Sequence, residues 1–131
     1  MGCELFMNIY DLWFASVKMS NKIKNYLLKN FKSTREIYIH SIFNRDSIFV
    51  SKDYNKIYGE LKKAWNRDKL ESLLEYSLNE GIESVNSCAE KYPYRLKNYD
   101  DSPSVLFYKG NIDILNNVSV AMVGARDCSL Y

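Results

Sequence analysis

The residues whose types and spacing best suit chemistry lie in the stretch VSVAMVGARDCSLY, Val118 to Tyr131. An apolar, largely β-branched run (Val118, Val120, Ala121, Met122, Val123) stops at Gly124 and is followed by Ala125, Arg126 and small polar residues able to open a helix. Strand, glycine and helix start is the local order of a phosphate loop. Free backbone amides and the positive end of a helix dipole then face an anion, and Gly124 lets that anion approach the backbone. Arg126 adds a planar, permanently charged fork suited to phosphate oxygens. The same residues also fit a plain strand-to-helix turn in which Arg126 pairs with Asp127 or another carboxylate, and the residues alone leave both options open.

Other chemistry at this loop lacks its partners. Cys128 near a helix start has no base beside it in sequence, and Ser129 lacks the Gly-x-Ser-x-Gly elbow of a hydrolase. Gly124 is the loop's single glycine, so the GxGxxG fingerprint of dinucleotide binding is not met. His40 is the one histidine of the chain, with no cysteine or second histidine near it, and reads as a surface or half-buried helix residue. No catalytic residue, metal site or cofactor is expected.

The elements that must position the loop fall into two groups. Residues 1–69 carry 13 Lys/Arg against 7 Asp/Glu, whereas residues 70–131 carry 5 against 9. This asymmetry suggests two units, divided as residues 1–65 and 66–131. Four helices are expected in the first. Asn8 caps one bearing Ile9, Leu12, Trp13 and Val17; Ser20 caps a second bearing Ile23, Tyr26, Leu27 and Phe31. Ser33 with Glu36 forms a capping box for a third, carrying Ile37 and Phe43, and Ser51 starts a fourth with Tyr54, Ile57, Tyr58, Leu61, Ala64 and Trp65 on one side. Tyr10, Tyr26, Tyr54 and Tyr58 are assigned to packing.

The lysines following the turn at Lys18–Asn21 sit in a stretch from Val17 to Arg35 free of acidic residues. A helix hairpin there could meet a DNA phosphate, with Lys22 and Lys24, and separately Lys109, as secondary contacts. A solvated lysine face is the alternative, and the glycines that such a hairpin relies on are absent between Gly2 and Gly59.

In the second unit, Asn66 caps a helix with Leu70, Leu73, Leu74 and Leu78 inward, ended by Gly81. Ile82–Asn86 reads as a strand, Tyr92-Pro93 and Ser102-Pro103 impose extended or turn backbone, Val105–Tyr108 forms a second strand and Ile112–Leu115 a helical turn or connector. Val118–Val123 is the third strand, and its near-continuous apolar run predicts a parallel sheet covered on both faces. Three scattered cysteines without a CxxC pair suggest neither disulfides nor zinc. Acidic Glu4 and Asp11 argue against a signal peptide and no apolar run reaches membrane-span length, so a cytoplasmic location without membrane contact is expected.

YPYRLKNYDDSPSVLFYKG (Tyr92–Gly110) followed by VAMVGARDCSLY (Val120–Tyr131) resembles the start of the Rossmann-like domain of the DNA-processing protein A family (DprA, also called Smf). The Tyr-Pro, the Asp-x-Pro before the Val-Leu-Phe strand, the Lys-Gly after it and the Val-Gly-x-Arg loop followed by Ser-x-Tyr occur in the family's order. The helical part matches more loosely the family's SAM-like N-terminal domain. The implied fold is α/β: a small all-helical SAM-like domain, then the truncated start of a Rossmann-like parallel-sheet domain. The resemblance further implies a non-catalytic, homodimeric parent that binds single-stranded DNA in natural transformation and loads RecA recombinase. It places Gly124, Ala125 and Arg126 in the family's Gly-Ser-Arg pocket, with Ser129 at the following helix start. Ala125 stands for the usual serine and removes one hydroxyl donor. An isolated fragment is expected to bind DNA weakly and to associate. Competing expectations are a nucleotide-processing Rossmann-like enzyme of the phosphoribohydrolase type, whose second glycine-rich motif with a catalytic glutamate is missing here, and a stand-alone helical interaction module.

Overall fold

A computed structural model describes residues 8–43 and 52–126, with the side chains of residues 43 and 52–54 left aside. Its elements are α1 (Ile9–Ser16), α2 (Asn21–Phe31), α3 (Thr34–Tyr38) continuing into a π turn (Ile39–Phe43), α4 (Lys52–Ala64), α5 (Arg67–Asn79), β1 (Glu83–Asn86) and β2 (Val105–Tyr108). Short 3-10 turns occupy Leu96–Asn98 and Ile112–Asn116.

The caps explain the starts. Asn8 Oδ1 accepts from the Asp11 amide at 2.8 Å, Ser20 Oγ from Ile23 at 3.3 Å, Ser33 Oγ from Glu36 at 3.1 Å and Asn66 Oδ1 from Lys69 at 3.2 Å. Each satisfies an amide that the first helical turn leaves without an internal partner. The expected Ser51 cap lies outside the described residues. At the far end of α5, Gly81 takes φ +68°, the Ile82 amide reaches Ser77 O at 2.8 Å and the Gly81 amide reaches Leu78 O at 3.3 Å. These two bonds form a Schellman close that a glycine adopts without a Cβ clash. Helix α2 closes through Lys32, a non-glycine residue at φ +71°.

The main core joins Trp13, Phe14 and Val17 of the α1 region to Leu27 and Leu28 of α2, Ile37 of α3, Leu61 of α4 and Leu70 of α5. The Trp13 indole donates to Leu61 O at 2.9 Å, so the largest buried side chain keeps its polar atom satisfied. Tyr10, Tyr38 and Trp65 surround it, with the Tyr38 and Trp65 ring centroids 4.4 Å apart. A smaller core of Val85, Tyr92 and Ile112 sits under the strands, where the Tyr92 hydroxyl donates to Pro103 O at 2.7 Å.

Several expectations need correction. Strands β1 and β2 pair antiparallel, Glu83 opposite Tyr108 and Asn86 opposite Val105, so the described sheet is a two-stranded antiparallel ribbon and not a parallel one. Residues 118–126 form no strand, because no described segment offers them a ladder partner. Tyr26, placed in the core by spacing, is 58% exposed, and Ile23, Leu73 and Leu78 are exposed as well. Helix α5 buries only Leu70 and Ser77, a narrower stripe than its leucines predict. Tyr54 and Phe43 cannot be compared, since their side chains are outside the description.

Two buried polar side chains fasten the strand region to the helices. Asp11 of α1, 3% exposed, accepts from Thr34 Oγ1 at 2.7 Å and from Ser84 Oγ of β1 at 2.6 Å. Asn25 of α2 donates to Asp100 O at 2.9 Å and Ser102 O at 2.8 Å, and accepts from Ser87 Oγ at 2.7 Å. Both of its amide hydrogens and its carbonyl are thereby used, which a buried amide requires.

Candidate functional site

The approach to the Gly124 loop is held by the segment that carries the Tyr-Pro motif. Tyr94 donates its amide to Asn116 Oδ1 at 3.2 Å. The Arg95 guanidinium donates to Asn117 O at 2.9 Å and to Ser119 Oγ at 3.3 Å, and stands 5.6 Å from the Tyr94 ring centroid. Arg95 thus fixes where the chain leaves the 3-10 turn. Sequence reasoning quoted Arg95 within its motif and gave it no role; its wide separation from Asn117 hides the contact.

Beyond this clamp the chain runs exposed. Val118 is 96% and Met122 95% accessible, and Gly124, Ala125 and Arg126 are all at the surface. Among the described residues, its two chain neighbours aside, no atom lies within 4 Å of the place a Cβ on Gly124 would take. Arg126 makes no ion pair with a carboxylate among the described residues. Asp127, Cys128 and Ser129 lie outside the described residues, as does the helix expected to follow the loop.

The three lysines singled out from the sequence are not brought together with this loop by any contact among the described residues. Lys22 is exposed and pairs with Asp100 at 3.5 Å. Lys109, following β2, pairs with Glu80 at 3.5 Å. Lys24 is turned inward: 5% exposed, it donates to Ala15 O at 3.2 Å at the end of α1 and lies 5.8 Å from the Phe14 ring centroid. Burial lowers its pKa from the ordinary lysine value. Its position completes a free helix-terminal carbonyl, which favours a cation there.

Elsewhere, burial pushes the Cys88 thiol up, with Lys29 and Lys97 pulling it partly back, so an exposed thiol stays protonated near neutrality. The Tyr108 phenol is pushed up to about 12, first by burial and then by its hydrogen bond to Glu83 across the ribbon. No group of His, Cys, Asp and Glu able to hold a metal occurs among the described residues, and none of their helices is long and apolar enough to cross a membrane.

Residues 83–131 match the family model described as DNA recombination-mediator protein A. Over this segment the chain is similar to the DNA-processing protein A family. A curated relative, the DNA processing protein DprA of Streptococcus pneumoniae (strain ATCC BAA-255 / R6), is 53% identical over 38 residues. That stretch covers 29% of this chain and 14% of the relative. No solved structure matches the chain. The family segment includes the β1–β2 ribbon, the Arg95 clamp and the Gly124–Arg126 loop, whereas α1 to α5 precede it.

Proposed function

We propose that these residues are the N-terminal part of a DNA-processing protein that acts in recombination and transformation by binding single-stranded DNA and passing it to RecA recombinase. The observation that carries the proposal is the family segment itself, residues 83–131, which includes the loop whose Arg126 is exposed and unpaired with any described carboxylate. In this reading residues 1–65 form the SAM-like domain, and residues 66–131 open a Rossmann-like domain in which Val118–Val123 becomes a strand once neighbouring strands flank it. Gly124 and Ala125 present backbone amides, Arg126 supplies the charge and Ser129 a hydroxyl at the helix start. The role is binding, not catalysis, in the cytoplasm, and the intact protein works as a homodimer.

The mechanism is electrostatic. Arg126 and the loop amides neutralise a phosphate, and counterion release makes affinity fall with salt by a slope of about 0.7 per phosphate on a single strand. The test is titration of a labelled oligonucleotide against the full-length protein and its Arg126→Ala variant over a salt series. Arg126→Ala should weaken binding and flatten the slope by about one phosphate's share. Unchanged affinity and slope would remove Arg126 from the site.

A further inference from the structure

The outer face of α2 carries Lys22, Tyr26 and Lys29, spaced so that all three share one side of the helix, over about 10 Å of its axis. The inner face of the same helix is consumed by the core and by Asn25. Tyr26 is therefore 58% exposed for a reason of geometry: its neighbours Leu27 and Leu28 take the buried positions. Its ring is thus more than half exposed and flanked by two exposed lysines on the same helix face.

The second half of the surface comes from the turn at Leu96–Asn98. Asn25 holds the backbone of Asp100 and Ser102, and Lys22 pairs with the Asp100 side chain, so this turn lies directly beside α2. Lys97 and Tyr99 both project from it into solvent, Tyr99 being 64% exposed. The charges of Lys29, on the helix, and Lys97, on the turn, both act on the thiol of Cys88. Asp100 is seated on this face, in an exposed pair with Lys22. Exposed pairs of that kind contribute little and exchange readily for another anion.

We propose that Lys22, Tyr26, Lys29, Lys97 and Tyr99 form a platform for single-stranded nucleic acid, in which the tyrosines stack on bases and the lysines follow the phosphates. The occupant is chosen by charge complementarity combined with exposed rings: an acidic peptide would use the lysines and leave Tyr26 and Tyr99 idle, whereas single strands use both. Duplex DNA offers no base faces to the rings. The inference deepens the proposed DNA-binding role by adding a second contact surface, built by α2 and the Leu96–Asn98 turn and separate from the Arg126 loop.

The experiment is fluorescence anisotropy of a labelled oligothymidine with the 131-residue chain at about 50 mM salt, where phosphate contacts are weakly screened. Wild type, Tyr26→Ala, Tyr26→Phe, Lys29→Ala/Lys97→Ala and Arg126→Ala are compared, with circular dichroism to confirm folding. Tyr26→Ala should weaken binding about five-fold or more, and Tyr26→Phe should keep it, because stacking needs the ring and not the hydroxyl. Lys29→Ala/Lys97→Ala should reduce the salt slope by about 1.4. If Arg126→Ala abolishes binding while the Tyr26 and lysine variants behave as wild type, the platform is refuted and the loop site stands. If Arg126→Ala has no effect and Tyr26→Ala does, the platform stands and the loop assignment falls. A chain that ignores the oligonucleotide, or binds poly-glutamate equally well and regardless of Tyr26, overturns the platform.

Discussion

Asp11→Ala tests whether a buried carboxylate, and not apolar contact alone, ties the strand region to the helices. The substitution leaves the Asn8 cap intact, since that bond uses the backbone amide of residue 11. It removes two hydrogen bonds, from Thr34 at 2.7 Å and from Ser84 at 2.6 Å, whose donors are 2% and 6% exposed. Hydrogen bonds to a charged group are each worth about 1.5–3 kcal/mol, and hydroxyls left unsatisfied in the interior lose that contribution without water to replace it. Relief of the carboxylate's own desolvation offsets part of the loss. A net destabilisation of about 2–4 kcal/mol follows, a large share of the about 5–15 kcal/mol that holds an ordinary domain together. With a urea m-value of about 1–3 kcal/mol/M, the unfolding midpoint should fall by about 0.7 M or more. Ser84→Ala alone should cost less, about 1–2 kcal/mol, because Thr34 keeps its partner. The double-mutant cycle between Asp11 and Ser84 should show a coupling of about 1 kcal/mol or more, the size expected for residues in one network. A midpoint for Asp11→Ala within about 0.3 M of wild type, or strictly additive single variants, would refute the network as a clamp.

Lys32→Gly should raise stability by about 1 kcal/mol in the same urea assay, because Lys32 sits at φ +71°, where a Cβ is penalised and glycine is not; a loss would show that the lysine side chain contributes more than the strain costs. The Tyr108 phenol should resist ionisation until about pH 12, seen as the difference in phenolate absorbance between wild type and Tyr108→Phe. Its folded pKa lies above the unfolded one, so the stabilisation is complete below about pH 10 and is lost as pH rises towards 12. Arg95→Ala should change global stability by no more than about 0.5 kcal/mol, as surface substitutions do, yet lower the backbone order parameters of residues 117–119; unchanged values there would dismiss Arg95 as the clamp.

Local chemistry was readable wherever one short stretch decides the outcome. The Asn8, Ser20, Ser33 and Asn66 caps, the Gly81 helix end and the Val105–Tyr108 strand follow from residues within a few positions of one another. Strand direction did not follow, because the apolar run at Val118–Val123 was allowed to set the sheet type, while the described ladder joins only β1 and β2 across the 87–104 connection. Tyr26 and Leu73 were assigned inward by spacing, but spacing gives a face and not the width of the surface that meets it. The polar clamps were hidden for a related reason. Asp11 had a sufficient local explanation at the helix N-terminus, and Lys24 looked like one more surface lysine. Asn25 did leave a trace: an asparagine in mid-helix is a poor helix former, and its presence asks for a tertiary bond.

The placement of these clamps bears on how the two candidate surfaces can cooperate. Asn25 reaches the backbone of Asp100 and Ser102, and Ser102 Oγ is in turn hydrogen-bonded to Leu96 O, so α2 and the turn bearing Lys97 move as one piece. Arg95, one residue before that turn, grips Asn117 and Ser119. A series of hydrogen bonds, joined by the chain between Arg95 and Leu96, therefore runs from the inner face of α2 through residues 95–102 to Asn117 and Ser119. The loop's own residues are exposed, and the last of these hydrogen bonds towards it is the one to Ser119. A strand of nucleic acid engaged by both surfaces would pay the ordering cost of the loop alone, because the platform and the loop's root are already fixed. Loosening the series at Asn25 should then weaken binding of long oligonucleotides that span both surfaces more than short ones that occupy either, a length dependence that independent sites on a flexible chain would not produce.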